Sequence, residues 1–335
     1  MAGGVIDVRR GGRGGGVSGL LLDAVSRVGA SAWEVRRALY ARGWKRPRRV
    51  SARVVSVGNL TVGGTGKTTL TRHLAEIAAA AGRRTAVVCR RYRPGPDGEG
   101  DEERLLRAAL PGIAVHAGVR KVTLAAAAAA AGAELVLVDD GFSHWSLERD
   151  VDIVLVEARD CAQTHRMLPA GPLREPWRAL QRATFVVASR LDPGEDPARV
   201  LECLARRAPA AALAAGRHEV RGARTLDGTP VAAEGRVRVV TATGNPESVA
   251  RTAREAGFTV AELSAYRDHH WFTRAEADAE RASAGSQRAR ILLTAKDAVR
   301  WPLPPSEDTW VLEVAWRWVT GGEAVERALL DPERE

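Results

Sequence analysis

The segment Thr61-Val62-Gly63-Gly64-Thr65-Gly66-Lys67-Thr68 combines the residue types needed to grip a polyphosphate. Its glycines let backbone N–H groups turn inward around phosphate oxygens, and a helix opening at Lys67 would add the positive end of its dipole. Lys67 can reach the outer phosphates, and the Thr68 hydroxyl can ligate magnesium. The Gly-Lys-Thr ending is that of a Walker A loop, although Thr61 stands where a glycine usually opens the pattern. Downstream, Leu135-Val136-Leu137-Val138 runs directly into Asp139-Asp140. That puts two carboxylates at the carboxyl end of a buried strand, where a nucleotide-bound magnesium would sit. Together these groups point to chemistry on ATP·Mg2+, with Thr61 to Thr68 binding the nucleotide and Thr68, Asp139 and Asp140 holding the metal.

Short apolar runs alternating with helical stretches after Arg53 predict a parallel sheet covered by helices. Strands are expected over Val54 to Val57, Thr85 to Cys89, Leu135 to Val138, Ile153 to Val156 and Phe185 to Ala188. Helices are expected over Lys67 to Ala81 and over Lys121 to Ala131, where seven consecutive alanines starting at Ala125 favour helix by propensity. The pattern then weakens. Turn signals at Asp227-Gly228 and Glu234-Gly235 suggest a hairpin linker over residues 218–237. Further strands are expected over Val237 to Thr241, Thr259 to Leu263, Ile291 to Leu293 and Trp310 to Val314. The reading is therefore α/β: a P-loop domain over 19–217, the linker, and a smaller α/β domain over 238–335. Two such domains would frame a cleft suited to a small-molecule site.

At 335 residues, 45% hydrophobic and 27% charged, the composition is that of a globular protein with a sizeable core. No segment approaches the roughly 20 uninterrupted apolar residues of a membrane span. Residues 1–18 hold glycines and arginines without an apolar centre, which predicts a disordered leader and not a secretory signal. Cys89, Cys161 and Cys203 are too few and too far apart for a disulfide frame or a zinc site and read as reduced core thiols. The formal charge of +9 calls for an anionic partner, and its location narrows the choice. Eight basic and no acidic residues lie between Arg36 and Arg53, following an apolar stripe of Leu21, Val25, Val28, Ala32, Val35 and Leu39. A helix with such a stripe and a basic end, with Trp33, Tyr40 and Trp44 nearby, suits an anionic membrane surface. The same pattern also suits a helix packed on its own domain with its basic end in solvent. No nucleic-acid motif is present, and no obligate protein partner is evident.

Taken together, the motifs resemble those of the tetraacyldisaccharide 4'-kinase family, the lipid A kinases of Gram-negative bacteria, from about Leu20 to Leu330. The resemblance rests on Val57-Gly58-Asn59-Leu60 leading into the phosphate loop, Asp139-Asp140-Gly141-Phe142 with His144, and Leu168-Pro169-Ala170-Gly171-Pro172-Leu173-Arg174-Glu175-Pro176. It continues with Gly244-Asn245-Pro246, Asp268-His269-His270 with Phe272-Thr273, and Lys296-Asp297-Ala298-Val299. It implies transfer of the γ-phosphate of ATP to the 4'-hydroxyl of an acylated disaccharide 1-phosphate, giving lipid IVA, at the cytoplasmic face of the inner membrane as a peripheral protein. It also implies a P-loop α/β/α domain joined by a two-stranded linker to a smaller α/β domain.

By this resemblance Asp101, in Gly100-Asp101-Glu102, is the base that activates the sugar hydroxyl, and His269 is its orienting partner. Lys67, Asp139 and Asp140 complete the catalytic set, and Glu102, Lys121, His144, Arg174 and Glu175 are candidate substrate contacts. The chain also departs from the family pattern. Arg91 and Arg93 replace glycines flanking Tyr92, so this loop is expected to avoid glycine-only backbone angles. Ser143 stands for the usual glutamine, Ala295 for glutamate and Thr69 for proline, and a family arginine corresponds to Lys121, or to neighbouring Arg120 if the alignment slips by one. Two rival readings stay open on these residues: a P-loop switch that controls a partner, and a degenerate member that binds without turnover.

Overall fold

The computed structural model describes residues 17–192 and 194–331, so the leader expected over 1–18 falls outside the described residues as far as residue 16. The first half runs α1 (Val17–Ala41), β1 (Arg53–Asn59), α2 (Lys67–Ala80), β2 (Thr85–Arg90), α3 (Asp101–Ala109), β3 (Ala114–Gly118), α4 (Lys121–Ala130) and β4 (Leu135–Asp139). It continues through β5 (Val151–Glu157), β6 (Phe185–Ser189), α5 (Pro197–Arg207) and the long strand β7 (Ala212–Thr225). The second half holds β8 (Pro230–Val231), β9 (Arg236–Thr241), α6 (Pro246–Glu255), β10 (Thr259–Ala265), α7 (Arg274–Ser286), β11 (Arg290–Thr294), α8 (Ala295–Ala298), β12 (Thr309–Thr320) and α9 (Gly322–Leu330).

Along one continuous sheet the order is β10-β9-β11-β12-β7-β6-β5-β1-β4-β2-β3, with β8 paired to β7. Neighbours within each half are parallel, and the halves meet where β7 and β12 pair antiparallel. The apolar runs become strands because both faces of the sheet are covered. Val55, Val57, Leu135, Leu137, Ile153 and Leu155 point to a core shared with Leu70, Leu74 and Leu106 of α2 and α3. The alternate residues Val54, Val136 and Val138 pack against Ala125 and Ala128 of α4, whose short side chains let the helix lie close to the sheet. β1 lies between β4 and β5, so the chain leaves it toward both edges. The loops after β1 and β4 therefore open side by side at the carboxyl edge, with Val57 in register with Asp139.

Within residues 218–237 a short hairpin turns at Asp227-Gly228, but it is not the main pairing of this segment. The local pairing of β7 with β8 is only Ala223 with Val231 and Arg224 with Pro230. The main partner of β7 is β12, from Thr225 opposite Trp310 to Ala215 opposite Thr320. Two turn signals in sequence cannot reveal a partner strand that lies so far along the chain, and the connection between halves is this long-range ribbon.

Helix α1 has two unlike faces. Ser26 donates to the Met167 carbonyl at 2.9 Å, and the Trp33 indole donates to Glu175 at 2.8 Å, which fixes one face to the domain. The predicted stripe points away: Leu21, Val25, Val28 and Val35 are 63, 55, 69 and 60% exposed, and Trp44 beyond the helix is 75% exposed. No helix among the described residues is long and apolar enough to cross a membrane.

Candidate active site

The phosphate loop turns on glycine backbone angles. Gly63 and Gly66 have φ of 116° and 93°, in the left-handed region that glycine alone enters cheaply. Gly66 precedes α2 without any side-chain cap, so the N–H groups of the first helical turn remain available to an anion. A Cβ on Gly66 would also lie 2.6 Å from Nε2 of His218 on β7. Gly66→Ala is therefore expected to weaken ATP binding by roughly 10- to 100-fold, the equivalent of one forced left-handed residue, as read by calorimetric titration.

Lys67 donates to Oδ1 of Asn59 at 3.0 Å and lies 3.8 Å from Asp140 Oδ1. The Thr68 and Thr71 hydroxyls donate to the two oxygens of Asp139 at 3.1 and 3.2 Å. Burial first, and the nearby Glu102 charge second, push the Asp139 carboxyl up to about 6 against the opposing Lys67 and Lys121 charges. Asp140 takes the opposite course. Although burial opposes ionisation, Lys67 and the Arg174 fork, bonded at 2.8 and 2.6 Å, hold its carboxyl well below the usual range. Its backbone, at φ 52°, occupies an unusual region for a residue with a side chain.

A cavity of about 560 Å³ opens over these groups. From the first half it is lined by the phosphate loop, Arg90, Tyr92, Glu102, Asp139, Asp140, Arg174 and Arg190, and from the second half by Thr243, Asn245, Asp268, His269 and Lys296. Across it, Nδ1 of His269 lies 2.8 Å from Oδ2 of Asp101, a contact between residues 168 positions apart. Asp101 opens α3, and His269 sits in the loop after β10, its N–H bonded to the Ala242 carbonyl at 3.1 Å and its ring against Tyr92. Burial would raise the Asp101 carboxyl. The His269 hydrogen bond and the Lys296 and Arg300 charges outweigh it and hold the group at about 2. Asp101 is only 2% exposed and does not line the cavity, whereas His269 does. Of the pair, the imidazole is the member that lines the cavity.

The structure brings Lys67, Thr68, Asp139, Asp140, Glu102, Arg174 and His269 to this one cavity, and it places three other expected contacts elsewhere. Lys121 is 1% exposed and donates to the Asp139 and Asp140 carbonyls, so it holds the turn beneath the carboxylates. Glu175 is 3% exposed and accepts from Trp33 and Arg182, which ties α1 to the domain. His144 lies off the cavity, and burial pushes its imidazole down to about 4. The loop around Tyr92 also differs from expectation: Arg93 does take a left-handed angle, φ 42°, and the neighbouring Arg91 forks onto Glu103 at 2.8 and 2.9 Å. Asn59, His218, Lys296 and Arg300 were not singled out from the sequence. Asn59 and Lys296 lay inside quoted motifs and could have been, whereas Arg300 and His218 become visible only once the chain is folded.

The family model described as Tetraacyldisaccharide-1-P 4'-kinase matches residues 19–332 of this chain. The chain belongs to the tetraacyldisaccharide 4'-kinase family. A tetraacyldisaccharide 4'-kinase of Anaeromyxobacter sp. (strain Fw109-5) is 38% identical over 306 residues, covering 84% of this chain and 81% of that relative. One from Geobacter sulfurreducens is 32% identical over 316 residues, covering 85% and 86%. The crystal structure of an Aquifex aeolicus member in complex with ATP superposes with a TM-score of 0.71 at 23% identity, covering 93% of this chain and 98% of that one. The P-loop α/β fold is thus that of the family.

Proposed function

We propose that this chain transfers the γ-phosphate of ATP to the 4'-hydroxyl of tetraacyldisaccharide 1-phosphate, giving lipid IVA. The observation that carries this reading is one cavity with a phosphate loop on one wall and His269, backed by Asp101, on the other. The family to which the chain belongs supplies the acceptor. The Gly63 to Thr68 backbone and Lys67 hold the triphosphate tail, and Arg174 steadies charge at its outer end. A sugar alcohol approaching from the opposite wall meets the His269 ring. Nε2 takes the alcohol's proton as its oxygen bonds to the γ-phosphorus and the bond from that phosphorus to the bridging oxygen breaks, releasing ADP, and Asp101 balances the imidazolium that forms.

The residues present fit a magnesium ion. The Asp139 carboxylate, raised by burial and facing the Thr68 hydroxyl, is the kind of group a dication discharges. No group of three or more His, Cys, Asp or Glu among the described residues could hold a metal alone, so phosphate oxygens and water would complete the shell. Bound there, the ion supplies charge neutralisation across the phosphates.

The outward stripe of α1 and the basic segment after it support a peripheral place on an anionic membrane, at the cytoplasmic face of the inner membrane. Val25→Ser with Val28→Ser is expected to lower partition onto vesicles containing phosphatidylglycerol by roughly 10-fold, since two partly inserted aliphatic side chains are lost, without changing the melting temperature. The activity itself is tested by mass spectrometry of the product from a defined disaccharide monophosphate and ATP. One added phosphate on the non-reducing sugar supports the proposal. Hydrolysis of ATP without acceptor labelling would support a switch, and binding without turnover a degenerate member. Neither rival is favoured: Asp297, nearest to a guanine-reading aspartate, is fully buried and bonded to Thr241, Ala242, Thr294 and Arg300.

A further inference from the structure

Lys296 stands where three groups of the site converge. Its ammonium lies 3.4 Å from Nε2 of His269, 3.7 Å from Oδ2 of Asp101 and 3.6 Å from Oε1 of Glu102. We propose that Lys296 is a positioning residue for the Asp101–His269 pair, whose ammonium keeps the cavity-facing ring nitrogen unprotonated and offsets the carboxylate behind the ring. The inference rests on the reading of that pair as the base.

The argument starts from hydrogen-bond capacity. An ammonium only donates, so Nε2 facing it must be a bare acceptor. Nδ1 then carries the hydrogen and donates to Asp101 at 2.8 Å. In that tautomer Nε2 keeps its single lone pair, which an alcohol reaches by taking the ammonium's place beside the ring; in the other it would meet an N–H and find no base.

Lys296 is not a loose surface side chain. It belongs to α8, where Thr294 caps the turn by accepting from the Asp297 N–H at 3.1 Å. Asp297 in turn accepts from the Ala242 N–H at 2.9 Å and from Thr241 at 2.8 Å, at the end of β9. The His269 N–H bonds to the carbonyl of the same Ala242. The lysine and the imidazole thus hang from one anchor, and their spacing is set by the backbone. The remaining charged groups facing the pair are Arg300, 3.5 Å from Asp101 Oδ2, Glu102 on the same helix as Asp101, and Asp268, 4.0 Å from Nε2. Of the two cations, Arg300 is fully buried and committed to Asp297, and only Lys296 reaches the ring nitrogen that faces the cavity.

The test uses the full-length protein with Lys296→Met, which keeps an unbranched apolar stem, and Lys296→Arg, which keeps the charge. Two quantities are read: the pH profile of kcat, and the imidazole nitrogen NMR spectrum with His269 assigned from its loss in His269→Gln. Removing a cation makes the pair take up a proton more readily, so the acidic limb of the profile is expected to move to higher pH in Lys296→Met. At neutral pH kcat should fall roughly 30-fold, part of the 10²–10⁴ that a placed base contributes, with little change in KM for ATP. The His269 spectrum should show the imidazolium persisting to higher pH in step with the limb, and Lys296→Arg should restore both the limb and most of kcat. A Lys296→Met protein with wild-type limb and spectrum overturns the proposal, as does a rise in KM for ATP with the limb unmoved, which would make Lys296 a nucleotide contact. If His269→Gln and Asp101→Asn keep full activity, the reading of the pair as base fails instead. The spectrum of Lys296→Met then still decides whether the lysine keeps the ring unprotonated.

Discussion

Lys67→Met is expected to lower kcat for phosphoryl transfer on the order of 10³-fold, the upper range for losing one preorganised donor where transition-state charge develops. The side chain is mostly buried and held at 3.0 Å by Asn59, so its ammonium is already aimed at the position of the outer phosphates. Methionine keeps the stem and removes only the charge. Lys67→Arg should not rescue, because the Arg174 guanidinium already bonds to both Asn59 Oδ1 and Asp140, leaving no room for a second fork. A second readout follows from Asp139. Its carboxyl sits at about 6, and Lys67 is the first of the charges that keep it from going higher. Metal binding needs the ionised form, so the magnesium requirement should rise as pH falls through about 6 in the wild type. Without Lys67 the carboxyl rises further, and that increase should begin at higher pH. Magnesium titrations of the initial rate on both sides of that pH check it; superimposable curves for the two proteins would contradict the electrostatic assignment.

The fold was legible where local chemistry decides it. Each apolar run from Val54 to Ala188 became a strand within a residue or two at its ends, because a strand buried on both faces must be apolar throughout. The phosphate loop was legible because glycine and Lys-Thr at that spacing answer one geometric demand. Side chains whose role depends on a distant partner were not. Lys121 and Glu175 are charged residues within or beside motifs, and charge in a motif suggests ligand contact. Their burial, however, is decided by the Asp139 and Asp140 carbonyls in one case and by Trp33 and Arg182 in the other. The ribbon of β7 and β12 escaped for the same reason: its pairing joins Thr225 to Trp310, and no turn signal reports a partner at that separation. Lys296 was visible as a motif residue. What it faces depends on the Asp297 anchor at Ala242, which only the folded second half creates.

His269→Gln is expected to cost about 10³-fold in kcat, within the range for removing a placed general base, with ATP affinity unchanged because no phosphate-loop contact is touched. Asp101→Asn should cost nearly as much for a different reason. The amide that replaces the carboxylate can donate to Nδ1, which moves the ring hydrogen to Nε2, toward both the acceptor and the Lys296 ammonium. Because both substitutions disable one unit, their effects should not add. The double variant should fall little below either single one, whereas independent sites would multiply their losses. The pH profile separates the two roles further. If the imidazole is the group that accepts the alcohol's proton, His269→Gln abolishes the acidic limb, while Asp101→Asn retains a limb but displaces it. The opposite pattern, a limb that survives loss of the ring and vanishes with the carboxylate, would return the base to Asp101. That outcome would require α3 to expose a side chain that is 2% accessible in this structure.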